Sequence, residues 1–226
     1  MPNLLNLSCL TTLILTNCEV LRPFLQTGPF TIVGPNLQSL SINQSSTWGC
    51  LLELNLKTPL LRILDLSCCV NQRYNFPEPL KCLYEVTVTL RLTRFKEDDS
   101  VCFFTKPLPN RDLSLFQLLQ GISNVTLLTI ATSGLKICPK LLEMTKGITF
   151  HKLTELDVEA GKGNPDEMLF IENLVRSASN IKKVSVTVTD YSDEVKCLGY
   201  KIRKIAPKPV ELSVSTKIPP KRINFF

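Results

Sequence analysis

The sequence predicts an α/β fold in which short parallel strands recur along the chain. The spacing L-x-x-L-x-L occurs repeatedly between Leu10 and Val214. Its last two apolar side chains point the same way, because the side chains of a strand alternate between its two faces. A helix start, residues 164–167 (NPDE), falls between two of these copies. We therefore expect strands buried on one face, with helical connections in the second half.

The apolar repeat is complete at two sites. Residues 10–18 (LTTLILTNC) and 61–69 (LRILDLSCC) have the full spacing with a terminal cysteine. Looser copies begin at Leu37, Leu83, Val125, Leu153, Ile181 and, most weakly, Pro209. From Val125 onward the first positions lie 28 residues apart, and leucine-rich repeats are about 20–29 residues long. One coil cannot bury its apolar side alone. The sequence therefore predicts a leucine-rich-repeat solenoid with a parallel sheet on its concave face.

One gap departs from this spacing. The first positions Leu83 and Val125 are 42 residues apart, and the segment between them contains an acidic run (residues 97–99) and a proline-rich run (residues 106–110). These runs predict an exposed insertion near residues 93–110. We expect residues 1–215 to form a single repeat domain, followed by a basic, flexible tail over residues 216–226.

The connections between strands differ in the two halves. Residues 50–56 (CLLELNL) alternate like a strand and precede the next repeat too closely for a helix, which predicts a strand- and loop-backed first half. Residues 111–120 (RDLSLFQLLQ) are predicted to be helical, with Gly121 as a stop. Asn164 as N-cap, Pro165 at the first position and Glu167 at the third predict another helix. Its apolar stripe is Phe170, Ile171, Leu174, Val175 and Ala178. The second half is therefore predicted to be helix-backed.

Composition limits the class of protein. The chain has nine cysteines, an odd number with no CxxC pair, and one histidine. Reduced, buried thiols in a cytoplasmic or nuclear protein fit this pattern better than a disulfide framework or a Cys/His zinc site. No run of about 18 apolar residues predicts a membrane span. The net charge is +6, with eight basic residues and one acid from Lys196 onward. A basic end suits an acidic partner or nucleic acid, but a solvated terminus is the favoured interpretation, because aromatic residues do not alternate with the basic ones.

Motifs of catalysis are not recognisable in the sequence. Residues 161–163 (GKG) are too short for a phosphate-binding loop and are predicted to form a turn. The serines and cysteines do not lie in a nucleophile elbow, and His151 has no partner in a recognisable motif. We therefore expect a protein that is not an enzyme and that has neither a catalytic site nor a cofactor nor a metal.

Three acids share one predicted strand. Glu155, Asp157 and Glu159 alternate with apolar residues, so they are expected to face solvent on the strand face, where repeats of this kind bind partners. A metal or acid–base set is rejected because no further ligands accompany them. A basic protein partner would relieve the repulsion between these like charges, but a solvated strand face is the favoured interpretation. The candidate protein-binding residues are Glu155, Asp157, Glu159, Thr129, Lys183 and Ser185.

Several segments of the sequence resemble those of a known protein family. Residues 34–40 (GPNLQSL), 58–66 (TPLLRILDL) and 123–130 (SNVTLLTI), with 9–18 (CLTTLILTNC), resemble the repeat region of plant F-box/leucine-rich-repeat proteins. The resemblance implies a protein–protein interaction scaffold that holds the target of a cullin–RING ubiquitin ligase. An F-box of that family is not recognisable here, so we expect a Skp-type adaptor to bind only if an F-box lies upstream. The alternative is a stand-alone repeat protein with no ligase role. Neither nucleic acid nor membrane is expected as a partner.

Overall fold

The computed structural model describes residues 3–16, 29–43, 53–69, 73–77, 80–91, 111–132, 137, 139–189, 193–206 and 209–216. The predicted insertion near 93–110 lies outside the described residues, as do residues 217–226 of the predicted tail. In order, the elements are β1 (Asn3–Asn6), β2 (Thr12–Thr16), β3 (Phe30–Val33), β4 (Ser39–Asn43), β5 (Glu53–Lys57), β6 (Ile63–Cys69), β7 (Arg73–Asn75), β8 (Glu85–Arg91), α1 (Arg111–Gly121), β9 (Leu127–Ala131), α2 (Pro139–Thr145), β10 (Glu155–Glu159), α3 (Pro165–Arg176), β11 (Lys183–Val188), α4 (Asp193–Ile205) and β12 (Glu211–Thr216).

The main sheet has eight strands in the order β12-β11-β10-β9-β8-β6-β4-β2. Every neighbouring pair is parallel. The register joins equivalent positions of the sequence repeat, so that Leu128 lies beside Leu156, Leu156 beside Val184 and Val184 beside Leu212. The predicted α/β class with a parallel sheet is therefore confirmed. Even the weakest copy of the repeat contributes a strand, β12, which ends one residue beyond the predicted domain limit of 215.

The connections differ along the chain. In the first half, β1, β3, β5 and β7 form a second, four-stranded parallel sheet, and β5 overlaps the back strand predicted at residues 50–56. From residue 111 onward the described connections contain helices α1 to α4. Between two of these later connections, Phe150 forms one isolated parallel bridge with Ala178.

The core lies between the main sheet and these connections. Alternate strand residues such as Leu64, Val86, Leu128 and Leu156 are fully buried, as the L-x-L spacing requires. They form one continuous cluster with Ile32 and others from the second sheet and with buried helix residues. Burial of apolar area on this scale is the main favourable term in folding. One side of the main sheet is therefore buried in this core, and its opposite side faces outward.

A tight turn precedes several strands of the main sheet. The N–H of the first residue of the repeat donates to the carbonyl three residues earlier, as in Leu37 to Gly34 and Leu61 to Thr58, both 3.1 Å. Leu83 to Leu80 at 3.2 Å and Val125 to Ile122 at 3.0 Å follow the same pattern. In these four copies the first apolar residue is therefore a buried residue of a turn, and only the second and third belong to the strand.

The predicted start of α3 is confirmed in detail. Asn164 Oδ1 accepts from the N–H of Glu167 at 3.0 Å, and Glu167 Oε2 accepts from the N–H of Asn164 at 3.2 Å, which is a capping box. The same carboxylate accepts from the N–H groups of Gly161 and Gly163. Gly163 has φ 67°, the left-handed region that favours glycine, so residues 161–163 form the predicted turn. All five residues of the predicted apolar stripe are buried.

The helices are tied to one another by polar contacts. Asn173 Nδ2 donates to the carbonyl of Leu142 at 3.0 Å, which joins α3 to α2. Lys201 Nζ lies 3.0 Å from Glu172 Oε1, which joins α4 to α3. The first helix, α1, includes Gly121 as its last residue rather than stopping before it. A Cβ on Gly121 would lie 2.1 Å from the ring of Phe76, so this position is glycine because the ring approaches the helix closely.

Candidate binding surface

The outward side of the eight-stranded sheet is the candidate surface, and we call it the sheet face. It consists of the strand residues that alternate with the buried ones. Parallel pairing aligns them in rows that cross the strands, so the row through the strand centres runs Ile14, Ser41, Asp65, Thr87, Thr129, Asp157, Ser185 and Ser213. Adjacent strands in a sheet lie about 4.8 Å apart. Most of these side chains are short and polar, which leaves the sheet open to a partner.

All six residues predicted to bind a partner lie together on the sheet face. Glu155, Asp157 and Glu159 project from β10. In the sheet register Asp157 lies between Thr129 on β9 and Ser185 on β11, and Lys183 lies beside Glu155. Glu155 and Asp157 are exposed and Glu159 is half-buried. The three acids are therefore neighbours of the predicted residues on both adjacent strands.

Charge on the sheet face is strongly unbalanced. The described outward side chains include six acids, Asp65, Glu85, Glu155, Asp157, Glu159 and Glu211, and a single base, Lys183. The whole chain carries a net charge of +6. The sheet face therefore has the opposite sign to the molecule as a whole, and a basic partner would be attracted to this side.

Asp157 has a raised pKa on this face, and burial is the largest cause. Partial burial between β9 and β11 raises its pKa above the usual 3.8, and the charge of Glu159 raises it further. Lys183 acts in the opposite direction and lowers the pKa, but it does not outweigh the other two causes. The negative charge of Asp157 is thus opposed by its surroundings.

Hydroxyl groups connect neighbouring strands across the sheet face. The Ser41 hydroxyl donates to Asp65 Oδ2 at 2.9 Å, and the Ser213 hydroxyl donates to Ser185 Oγ at 3.1 Å. Thr187 and Ser215 share a further hydrogen bond of 3.1 Å. These bonds hold short side chains in place, so the surface is preorganised for contact.

Sequence reasoning found one acidic strand but missed the other three acids of the sheet face. Asp65 lies between two buried leucines, in the same arrangement that singled out Asp157. Glu85 lies one residue before the buried Val86, as Glu155 lies before the buried Leu156, and Glu211 lies one residue before the half-buried Leu212. The signal was therefore present at equivalent positions of several repeats. Single acids on separate strands become a surface only when the strand order is known.

Exposed apolar residues lie beside the first part of the sheet face. Ile63 on β6 is 43% exposed, Leu60 in the turn before β6 is 45% exposed and Tyr84 before β8 is 46% exposed. The backbone N–H of Tyr84 donates to the carbonyl of Arg62, so Tyr84 lies next to the start of β6. Sequence reasoning assigned no role to these three residues.

Other kinds of site are not evident in the described part of the chain. No group of three or more histidine, cysteine or acidic residues there is arranged to hold a metal ion. Among the described cysteines, Cys9, Cys82 and Cys197 are exposed free thiols. His151 is exposed in a turn, where its carbonyl accepts from Asn180 Nδ2 at 2.7 Å. The described helices are all too short or too polar to cross a bilayer.

Comparison with protein-family models, with curated proteins and with solved structures yields no match to this chain.

Proposed function

We propose that the chain is a leucine-rich-repeat scaffold that binds another protein on its sheet face. The regular L-x-x-L-x-L copies, the strictly successive strand order and the 28-residue register support the repeat assignment. In such a solenoid the sheet lines the concave side, which is the surface that stacked repeats use for binding. The proposal follows from the architecture and from the open, polar character of the sheet face.

The charge of the sheet face is the single observation that carries the proposal. Among the described outward side chains there are six acids and one base, in a molecule with net charge +6, and the repulsion between the like charges is unfavourable in the free protein. A basic partner surface would relieve the repulsion and would associate faster through electrostatic steering. Salt should weaken the complex, since exposed charges are screened within about 8 Å at physiological ionic strength.

The test neutralises the acids of β10. In the variant Glu155→Gln/Asp157→Asn/Glu159→Gln the sheet face loses half of its acids. The control Glu143→Gln/Asp166→Asn removes exposed acids from α2 and α3. Each tagged protein is purified from its native cells at low and at high salt, and the bound proteins are quantified by mass spectrometry. We expect at least one partner to be lost tenfold or more with the sheet-face variant and retained with the control. Full retention of every partner at low salt would refute the proposal.

We further propose that the scaffold holds the target of a ubiquitin ligase, and here the support is the family resemblance of the repeat phrases. The experiment is co-purification of the product of the natural gene with a Skp-type adaptor and a cullin, combined with measurement of target ubiquitination. If the chain is a ligase receptor, it should co-purify with the adaptor and should shorten the lifetime of the target protein. A stand-alone repeat protein would bind the target through the same face without the adaptor.

A further inference from the structure

The two edge strands of the main sheet, β2 and β12, differ in chemistry. Each of them pairs with a single neighbour among the described strands. The outward residue at the centre of β12 is Ser213, whereas the outward residue at the centre of β2 is Ile14, which is 67% exposed. β12 begins with the charged Glu211, but residues 1–18 contain no Asp, Glu, Lys or Arg. Charged residues on an edge strand oppose pairing with another chain, so β2 lacks a protection that β12 has in part.

The inward side chains of β2 are incompletely covered. Leu13 and Leu15 are half-buried, whereas Leu40 and Ile42, their neighbours on β4, are buried. Further burial of the two β2 leucines would be favourable, because removal of apolar area from water drives most protein association. The β2 edge therefore has apolar side chains to bury on both sides of the sheet.

The backbone groups of β2 point alternately toward β4 and toward the open edge. The carbonyl of Thr11 accepts from the N–H of Ser39 at 3.0 Å, so the carbonyl of Thr11 faces β4. In a strand the N–H and C=O of one residue point to the same side, and those of the next residue point to the other side. Leu13 therefore faces β4, and the N–H and C=O of Ile14 face the open edge, where a further strand can pair with them.

The order of residues along β2 specifies which strand suits this edge. β2 consists of residues 12–16 (TLILT), which read the same in both directions. When two such strands pair antiparallel about a two-fold axis at Ile14, each threonine lies opposite a threonine, each leucine opposite a leucine, and Ile14 opposite itself. Threonine pairs across two strands are favourable. β12 (ELSVST) does not have this symmetry. The β2 edge is therefore complementary to a second copy of itself.

The second sheet repeats this arrangement at its own edge. β1 pairs only with β3 among the described strands, and residues 3–6 (NLLN) also read the same in both directions. The strand is uncharged, as β2 is. The first strand of each sheet is therefore compatible with a two-fold partner.

We propose that two copies of this chain form a dimer in which β2 pairs antiparallel with β2, about a two-fold axis that passes through Ile14 perpendicular to the main sheet. The same edge serves in both copies, so the contact closes on itself and does not continue into a fibre. The Ile14 backbone groups of the two copies bond to each other, and Thr12 of each copy lies opposite Thr16 of the other. The two main sheets become one continuous sheet, with both sheet faces on the same side. The dimer goes beyond the proposed function and does not depend on what binds to the sheet face.

The first test is the oligomeric state of the full chain under reducing conditions. Sedimentation equilibrium measures it from about 1 µM to about 1 mM protein. A pair of five-residue strands buries little area, so we expect a monomer–dimer equilibrium rather than a permanent dimer. In the dilute monomer β2 is an open edge like β12, and as the dimer forms the β2 amides alone should become protected from hydrogen exchange. A monomer at every concentration would overturn the proposal.

Charges placed on the axis test the two-fold pairing. Ile14→Lys and Ile14→Glu each bring two like charges face to face, so each should weaken the dimer at least tenfold. A mixture of the two variants should dimerise again, because lysine then lies opposite glutamate. Undiminished dimerisation of Ile14→Lys, or no recovery in the mixture, would refute the pairing.

Ser213→Lys is the matched control, because Ser213 is exposed in the same row of the sheet on the opposite edge strand. This variant should dimerise as the unchanged protein does. Circular dichroism confirms that all three variants fold. If Ser213→Lys weakens association as strongly as Ile14→Lys, then β12 of one copy meets β2 of the next, and the two-fold dimer is wrong.

Cross-linking measures the register. A short thiol-reactive linker should join Ile14→Cys to itself, since opposite residues of an antiparallel pair have Cα atoms about 5.5 Å apart. Thr12→Cys should join Thr16→Cys in a mixed sample at least fivefold more than it joins itself, because two Thr12 residues are offset by four positions, about 14 Å. Mass spectrometry identifies the joined peptides, and the unchanged protein gives the background from native cysteines such as Cys9. Equal joining of Thr12→Cys to itself would overturn the antiparallel register.

Discussion

At the scale of single residues, Asp157 on the sheet face shows how burial and a neighbouring charge act together on one side chain. Its raised pKa means that the folded protein holds a proton more readily than the unfolded chain does. Above that raised pKa the charged form therefore costs stability. The cost falls as the pH drops through the raised pKa, and it disappears below the usual value of 3.8, where both states are protonated.

Replacing Asp157 by asparagine should therefore stabilise the protein at neutral pH. We expect Tm to rise by about 1–2 °C, the size of a modest surface electrostatic effect in a domain of this length. The gain should vanish near pH 3.8. Asp166→Asn is the matched control of opposite sign, because Asp166 lies in the first turn of α3, where the helix dipole favours an acid. Melting curves at several pH values measure the Tm of both variants. A lower Tm for Asp157→Asn than for the unchanged protein at pH 7 would contradict a raised pKa of Asp157.

Gly121 presents a conflict between local preference and packing. In a helix, alanine is favoured over glycine by about 1 kcal/mol. Here, however, a Cβ would lie 2.1 Å from the Phe76 ring. We expect Gly121→Ala to destabilise the fold by about 1–3 kcal/mol, the usual cost of overpacking.

Urea denaturation measures this effect. Gly147→Ala serves as the control, because the nearest atom to its added Cβ is 3.5 Å away. Adding Phe76→Leu to Gly121→Ala should restore part of the loss, since the smaller side chain vacates the space. A stabilised Gly121→Ala variant would mean that helix propensity outweighs the close approach of the ring.

At the scale of elements, α3 depends on its first turn. Glu167 is 3% exposed, and its carboxylate accepts three backbone N–H groups, those of Gly161, Gly163 and Asn164. Asn164→Ala should cost about 1 kcal/mol, as for other N-caps. Glu167→Ala should cost more, about 2–4 kcal/mol, because several buried donors lose their acceptor together. Chemical denaturation measures the free energy of unfolding of both variants. A loss for Glu167→Ala that is equal to or smaller than the loss for Asn164→Ala would contradict the expectation.

The same elements show what the sequence can and cannot predict. The eight sheet strands and the start of α3 were predictable, because the alternation of leucines and the capping box are local patterns. The short back strands β1, β3 and β7 were not predicted individually, because three or four residues carry too little periodicity. Asp65, Glu85 and Glu211 were missed for another reason. They share one side of the main sheet with the acids of β10 only when the strand order is known, and strand order is not local in sequence.

At the scale of the whole molecule, stability should decline from the centre of the main sheet toward its edges. Leu64 and Leu66 of β6 and Val86 and Val88 of β8 are fully buried, whereas Leu13 of β2 and Leu212 of β12 are only half-buried. Both edge strands pair with one neighbour in the sheet order. In stacked architectures each layer is stabilised mainly by its neighbours.

Hydrogen exchange should follow this gradient. We expect backbone amides of β2 and β12 to exchange at least tenfold faster than those of β6, β8 and β9, because edge strands open locally at lower free energy. Mass spectrometry of proteolytic peptides after deuteration measures the rates. Uniform protection across all eight strands would show that the sheet unfolds as one unit.

The pairing of β8 with β9 has a wider consequence. Leu83 and Val125 are separated by 42 residues, yet Glu85 and Leu127 lie side by side in the same register that joins strands 28 residues apart. The amount of chain between two strands therefore does not determine how they meet. Such a protein can accept or lose sequence between its strands over evolutionary time while its outward side chains keep their places. The length of a connection and the arrangement of the outward side chains can then change independently.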